Sequence, residues 1–254
     1  RFGHKIIEVS TFRAGENDDD LIVQDNVWGT PEEDVMRRDF TINGLYYDPA
    51  NRQVIDYVKG WEDIQKKTLR AIGEPSIRFK QDPVRMIRLL KFQARFDFAI
   101  DDSTKAALDE WFHEIKKSSP ARILEEVLRM LESGSSAPFF YLLLRAGILD
   151  ILFPPFADFI RQKDGELIYR YLDAADQMNR NAIKKPLDRT ILASCLVYPL
   201  LQREMKREFL DKNYQPHQGE IIMLTQTVIR DCILSSFSHF PRRISTIMNY
   251  ILST

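Results

Sequence analysis

A chain of 254 residues with 44% hydrophobic content is long enough for one large core or two to three smaller modules. Its 36 lysines and arginines nearly balance 37 aspartates and glutamates, so any polyanion-binding surface must arise from local segregation of charge. Cys195 and Cys232, both inside apolar helix-like runs, argue against a disulfide framework, and no apolar stretch approaches the roughly 18 to 20 residues of a membrane span. With no signal-peptide pattern at the start, the composition predicts a soluble, cytoplasmic protein without a membrane partner.

Strand signals dominate from Phe2 to Tyr57. "KIIEVSTF" (Lys5 to Phe12) and "LIV" (Leu21 to Val23) are β-branched and apolar, and "AGENDDD" between them reads either as a flexible acidic loop or as a place where a longer loop is absent. "TINGLYY" and "QVIDYV", joined through Asp48, Pro49, Ala50 and Asn51, predict a hairpin. After Gly60 the pattern turns helical. "WEDIQKKTL", "DPVRMIRLLKFQARF", "DDSTKAALDEWFHEIKKS", "SPARILEEVLRMLESG" and "APFFYLLLRAGILDIL" follow in order. Asp82 ahead of Pro83 and Ser119 ahead of Pro120 predict helix starts, and Gly134 and Gly147 predict helix ends. Helical patterning continues from Pro154 to Thr254, broken at Lys184 to Pro186 and Tyr214 to Gly219. The fold class is therefore α+β: a small β-containing head over 1–58, a helical neck over 59–153 and a helical body over 154–254, with no internal repeat.

Four constellations carry chemistry. Glu8, between Ile7 and Val9, projects from the strand face opposite to theirs, either into solvent or as an oxygen ligand for a hard cation such as Mg²⁺. "RRDFTIN" (Arg37 to Asn43) sets two cations against one carboxylate. It is either a surface ion cluster of little energetic weight or a set of groups for phosphate, ribose or metal. In "QDPVRMIRLLKFQARF", Arg85, Arg88, Lys91 and Arg95 fall within roughly one third of a helix circumference. Asp82 and Arg85 then either read a base edge together or serve separately, the acid as a cap and the arginine on the helix's wet side. Finally, Arg122, Glu125, Glu126 and Arg129 predict an exposed, salt-bridged helix face that can also lend a cation to a phosphate site.

These stretches, in this order, resemble the class II nucleotidyltransferase family, which contains bacterial poly(A) polymerases and CCA-adding tRNA nucleotidyltransferases. "IIEVSTFR", "WGTPEEDVMRRDFTINGLYY", "VIDYVKGWEDI", "LRAIGEP", "RFKQDPVRMIRLLKFQARF" and "SPARILEEVLRML" carry the likeness from Ile6 to Phe153, and the pattern is closer to the poly(A) polymerase branch. The resemblance implies a polymerase-β-like head followed by a helical neck and body. It implies template-independent addition of AMP from ATP to RNA 3′ ends, in polyadenylation, RNA processing and decay, by a polynucleotide adenylyltransferase using two Mg²⁺ ions. CCA addition to tRNA is the alternative within the family, and an RNA-binding module without catalysis is the alternative outside it.

Carried over by residue, Glu8 and Asp39 match acids of the catalytic, metal-binding centre, Asp39 either as a catalytic carboxylate or as a ribose contact. Arg37, Arg38 and Asn43 match ribose or phosphate contacts, Asp82 and Arg85 the base-reading pair, and Arg88 and Arg122 the residues that face the triphosphate. The chain departs from the pattern in places. No glycine turn with a D-x-D element precedes Glu8, and Asp18 to Asp20 lack the context to replace it, so the chain is expected to start after that element and to be inactive alone. Gln81 stands where a glutamate is common, which predicts a weaker orienting pair to Arg85. Lys91 stands where an arginine is common, keeping the charge without the fork.

Overall fold

Asp48 closes the predicted hairpin as its own turn residue. Its carboxylate accepts from the Ala50 N–H at 2.9 Å and the Asn51 side-chain amide at 2.7 Å. The strands β1 (Leu45–Asp48) and β2 (Gln53–Asp56) pair antiparallel, with Tyr46 opposite Ile55 and Tyr47 opposite Val54. The computed structural model describes residues 7, 9–14, 28–181, 187–234 and 241–253.

These residues divide into two compact units, Arg1–Arg85 with Phe98–Trp111 and Met86–Asp97 with Phe112–Thr254. The first is α+β. It opens with α1 (Pro31–Met36), which the sequence reading missed; Thr30 and Glu33 form a reciprocal capping box at its start and Pro31 lies in its first turn. After the hairpin come α2 (Gly60–Gln65), β3 (Thr68–Leu69), α3 (Pro75–Gln81), and the start of α4 (Val84–Phe96). Strand β4 (Ala99–Ile100) pairs parallel with β3, and α5 (Asp102–Trp111) packs on α3. Gly60 is required by close approach, because a Cβ there would lie 2.1 Å from the Thr41 carbonyl oxygen. Val35, Phe40, Leu69 and Phe79 form the fully buried centre of this unit.

The second unit holds only helices among its described residues. Most of α4 belongs to it, followed by α6 (Pro120–Glu132), α7 (Ser136–Arg145), α8 (Ile148–Leu152), α9 (Pro154–Ile160), α10 (Glu166–Arg180), α11 (Arg189–Glu208), α12 (Gln218–Ile229) and α13 (Arg242–Ser253). Ser119 and Pro120 start α6 as predicted, and Gly134 and Gly147 adopt positive φ after α6 and α7. Its core is rich in phenylalanine: Phe139, Phe140, Phe156 and Phe159 are all fully buried.

The strand predicted around Glu8 is not borne out where it is described. Residues 7 and 9–12 are in no strand, Ile7 and Val9 are 61% and 92% exposed, and the segment makes one bridge, Arg13 to Trp28. A β-branched run forms a strand only when a partner pairs with it, and none of the described residues does so there. Glu8, Leu21 to Val23, Asp18 to Asp20 and Lys184 to Pro186 lie outside the described residues.

Candidate active site

Beyond the last turn of α1, the carbonyls of Arg37 and Arg38 need donors from other segments. Two buried arginines supply them. Arg78 Nη2 donates to the Arg37 oxygen at 2.9 Å and to the Arg38 oxygen at 3.2 Å, while Arg85 Nη2 donates to the Arg37 oxygen at 3.3 Å. The Asp39 carbonyl accepts from the Ile72 N–H at 3.2 Å, and fully buried Phe40 bridges to Ala71. The backbone around Asp39 is thus fixed on both sides, and its carboxylate, 16% exposed, lies 3.4 Å from Arg85 Nε.

Asp82 approaches the same Nε at 3.9 Å, with its side chain 5% exposed and that of Arg85 4%. One guanidinium therefore stands between two carboxylates in a poorly solvated place, where charges interact more strongly than in water. Asp82 is the residue that closes α3, and its carbonyl accepts from the Arg85 N–H at 3.0 Å. Since α4 begins at Val84, the predicted helix start is displaced by one residue. The reading in which the arginines of α4 coat a wet side is overturned at Arg85, whose side chain is 4% exposed, and the side chain of Lys91 on the same helix is 15% exposed.

Arg38 and Asn43 sit in a neighbouring cluster. Arg38 Nε and Nη2 donate to Asp34 Oδ2 at 3.3 and 3.2 Å, Nη1 donates to the Asn43 carbonyl at 2.8 Å, and the guanidinium covers the Tyr46 ring at 4.7 Å. The Tyr46 hydroxyl donates to the same Asp34 oxygen at 2.7 Å, and burial together with that carboxylate pushes its pKa up to about 12. Burial raises Asp34, but the Tyr46 hydroxyl, the Arg13 N–H and Arg38 outweigh it and hold the acid below its usual range. Arg38 thus ties Asp34 of α1, through two of its donors, to the turn after Asp39, through the third.

The turn is braced again one residue past Phe40. Thr41 Oγ1 donates to buried Asp63 at 2.7 Å, and Arg70 Nε donates to the same carboxylate oxygen at 3.1 Å and also pairs with Asp101. Asp101 accepts from the Ser103 hydroxyl at 2.6 Å at the start of α5. Sequence reasoning missed Arg78, Asp34, Asp63 and Arg70. The signal for Arg78 was present in the stretch "RFKQDPVR", where Arg78 lies three residues before Gln81 and seven before Arg85. Gln81 Oε1 accepts from Arg78 Nη1 at 3.5 Å, so its orienting partner is Arg78 rather than the predicted Arg85.

Arg88 and Arg122 belong to the second unit. Arg88 Nε stands 3.8 Å from Glu126 Oε1, and Lys91 Nζ 2.5 Å from Glu126 Oε2, so Glu126 is committed to α4. Arg122 is exposed on α6, four residues earlier. The predicted exposed pairing on α6 holds for Glu125 and Arg129 at 2.9 Å, but Glu125 and Glu132 also clamp Arg189, whose pKa their hydrogen bonds raise.

Among the described residues, no group of three or more His, Cys, Asp and Glu side chains converges as a metal cage. Mg²⁺ commonly takes only one or two carboxylates together with substrate phosphates, and the partly exposed Asp39 fits one such ligand.

Residues 1–70 match the model of the poly A polymerase head domain, and residues 97–160 match that of a probable RNA and SrmB-binding site of polymerase A. Poly(A) polymerase I of Haemophilus influenzae is 35% identical over 185 residues, covering 68% of this chain and 41% of that protein. The chain belongs to the poly(A) polymerase and CCA-adding branch of the class II nucleotidyltransferases. A CCA-adding enzyme of Enterococcus faecalis in this branch is 40% identical over 138 residues, 52% of this chain and 34% of that enzyme. The fold agrees: a solved tRNA-processing enzyme superposes with a TM-score of 0.59 at 17% identity, over 89% of this chain and 74% of that one. The chain spans less than half the length of the curated nucleotidyltransferases it matches. No helix among the described residues is long and apolar enough to cross a membrane.

Proposed function

We propose that the protein is a polynucleotide adenylyltransferase that adds AMP from ATP to RNA 3′ ends without a template, in the cytoplasm. The observation that carries this reading is the buried pairing of Asp39, Arg85 and Asp82 on a backbone held from both sides. Adenine presents an amino donor beside ring acceptors, and Asp82 with Arg85 offers an acceptor beside forked donors. The contacts of Arg85 to the Arg37 carbonyl, Asp39 and Asp82, at 3.3, 3.4 and 3.9 Å, are ones a base edge would replace. A base with the opposite pattern would leave buried polar groups unpaired, which is how protein side chains select a nucleotide without a template.

In the reaction the 3′ oxygen of RNA bonds to the α-phosphorus of ATP as the α–β anhydride bond breaks and pyrophosphate leaves. Asp39 is the catalytic carboxylate of the described residues, Glu8 is the second acid, and Arg37 with Asn43 borders the ribose and phosphate. Asp39, together with substrate phosphates, would hold Mg²⁺, which would supply charge neutralisation for the leaving group. Arg88 and Arg122 are polyanion-binding cations of the second unit.

The 40% identity to a CCA-adding enzyme favours one second reading, addition of CTP and ATP to tRNA ends. Primer extension by the complete protein with ATP and with CTP, on unstructured RNA and on tRNA, tests both. AMP tracts on unstructured RNA support the adenylyltransferase; addition confined to tRNA ends, with CTP accepted, supports the second reading. RNA binding without incorporation of either nucleotide removes both.

A further inference from the structure

We propose that Arg78 is a positioning residue that holds Asp39 in place while Arg85 engages the nucleotide. This rests on the adenylyltransferase reading above. Two arginines grip the same stretch of backbone, but unequally. Arg78 reaches two successive carbonyls, those of Arg37 and Arg38, at 2.9 and 3.2 Å. Arg85 reaches the first of these through Nη2 at the longer distance of 3.3 Å, and its Nε lies 3.4 Å from Asp39 and 3.9 Å from Asp82.

Bonding two consecutive carbonyls fixes the peptide planes just ahead of Asp39, and so the direction in which its side chain leaves the backbone. A carbonyl oxygen has two lone pairs, so Arg37 can accept from both arginines at once and keep the Arg78 bond when Arg85 turns to a base. Arg78 is well suited to a permanent hold. It is 9% exposed, and Gln81 on the same short helix accepts from its Nη1 at 3.5 Å. The two arginines therefore divide the work. Arg85 exchanges its contacts with the substrate, and Arg78 keeps the carboxylate registered against the reacting phosphate through that exchange. A lysine at position 78 keeps the charge but loses the planar fork in which Nη2 serves the Arg37 and Arg38 carbonyls while Nη1 serves Gln81.

The test compares Arg78→Lys and Gln81→Leu with wild type in the complete protein. It measures steady-state AMP addition to an RNA primer, competition between ATP and CTP, and thermal melting. Displacing a reacting group by about 1 Å can cost about 100-fold in rate, so Arg78→Lys should lower kcat by about 10- to 100-fold. The KM for ATP should stay within about two-fold and the preference for ATP over CTP should not change, because the base-reading pair is untouched. Gln81→Leu should show the same pattern with a smaller loss, about two- to five-fold in kcat. A folded Arg78→Lys protein with wild-type kcat overturns the inference. So does a loss of ATP preference matching the loss of kcat, which would make Arg78 a nucleotide ligand. If Arg78→Lys does not fold, Gln81→Leu decides, and wild-type kcat in that variant overturns the inference. A wild-type protein that adds no AMP defeats the adenylyltransferase reading and this inference with it, an outcome distinct from the others.

Discussion

Replacing Arg85 by lysine separates charge from geometry at the candidate site. The Asp39 and Asp82 side chains, 16% and 5% exposed, keep a nearby cation, so the large destabilisation that follows from stranding buried carboxylates is avoided. What is lost is the Nη2 bond to the Arg37 carbonyl and the forked presentation toward a base. A hydrogen bond to a charged group contributes about 1.5–3 kcal/mol, and a bidentate base contact about 1–3 kcal/mol of discrimination. At about 1.4 kcal/mol per factor of ten, the preference for ATP over CTP should fall by about 5- to 150-fold. The assay is competitive primer extension, with the ratio of kcat/KM for the two nucleotides as the readout. Arg85→Ala should broaden or abolish the preference and also destabilise the fold, by about 3–5 kcal/mol, because two poorly solvated carboxylates lose their shared partner. A folded Arg85→Lys protein with an unchanged ratio would refute the assignment of Arg85 as a base reader.

Asp39→Asn removes the negative charge while keeping the shape, and should reduce AMP addition by about 100-fold or more without weakening RNA retention on a filter. In the second unit, Asp176 is fully buried and accepts from the Ser136 N–H, the Ser136 hydroxyl and the Ala137 N–H at 2.7–2.9 Å. Asp176→Ala strands these donors at the start of α7 and should cost about 3 kcal/mol or more, lowering Tm by about 6–12 °C in calorimetry. Gly134→Ala forces φ of +75° on a residue with a Cβ that would lie 2.9 Å from Arg180 Cγ, and should destabilise by about 1 kcal/mol or more in urea unfolding. Arg189 lowers the pKa of Glu125 through its hydrogen bond, against burial and with help from Arg129. A depressed carboxylate stabilises the fold above its unfolded pKa near 4.5 and loses that contribution as pH falls through the lower folded value. Arg189→Met should therefore cost about 1 kcal/mol at pH 7, discounted for exposure, and the difference from wild type should shrink below about pH 4.5.

The helices were legible because their signals are local. The 3.6-residue spacing of α4 and α6, the proline starts and the glycine stops needed no tertiary information, and the turn formers Asp48 to Asn51 specified the hairpin. The capping box that starts α1 was equally local, with Thr30, Pro31 and Glu33 in the expected order, yet it lies in a short acidic stretch that does not show helical periodicity. What the chain could not show is how its charges pair. Arg85, Arg88 and Lys91 form one cationic sector on a helical wheel. In the structure Arg85 is held beside Asp39 and Asp82, whereas Lys91 and Arg88 meet Glu126 from a different helix. Arg189 lies 57 residues from Glu132 and 64 from Glu125, and no spacing rule connects them. Arg78 escaped notice for the same reason: its role is defined by carbonyls 40 and 41 residues away.

The most direct measurement is incorporation of ATP and CTP by the complete protein on an unstructured RNA primer and on tRNA, followed nucleotide by nucleotide on a gel. The account predicts AMP tracts on the unstructured primer, with CTP a poor substrate, and a loss of that preference in Arg85→Lys. Incorporation confined to tRNA ends with CTP accepted, or no incorporation at all, would contradict it.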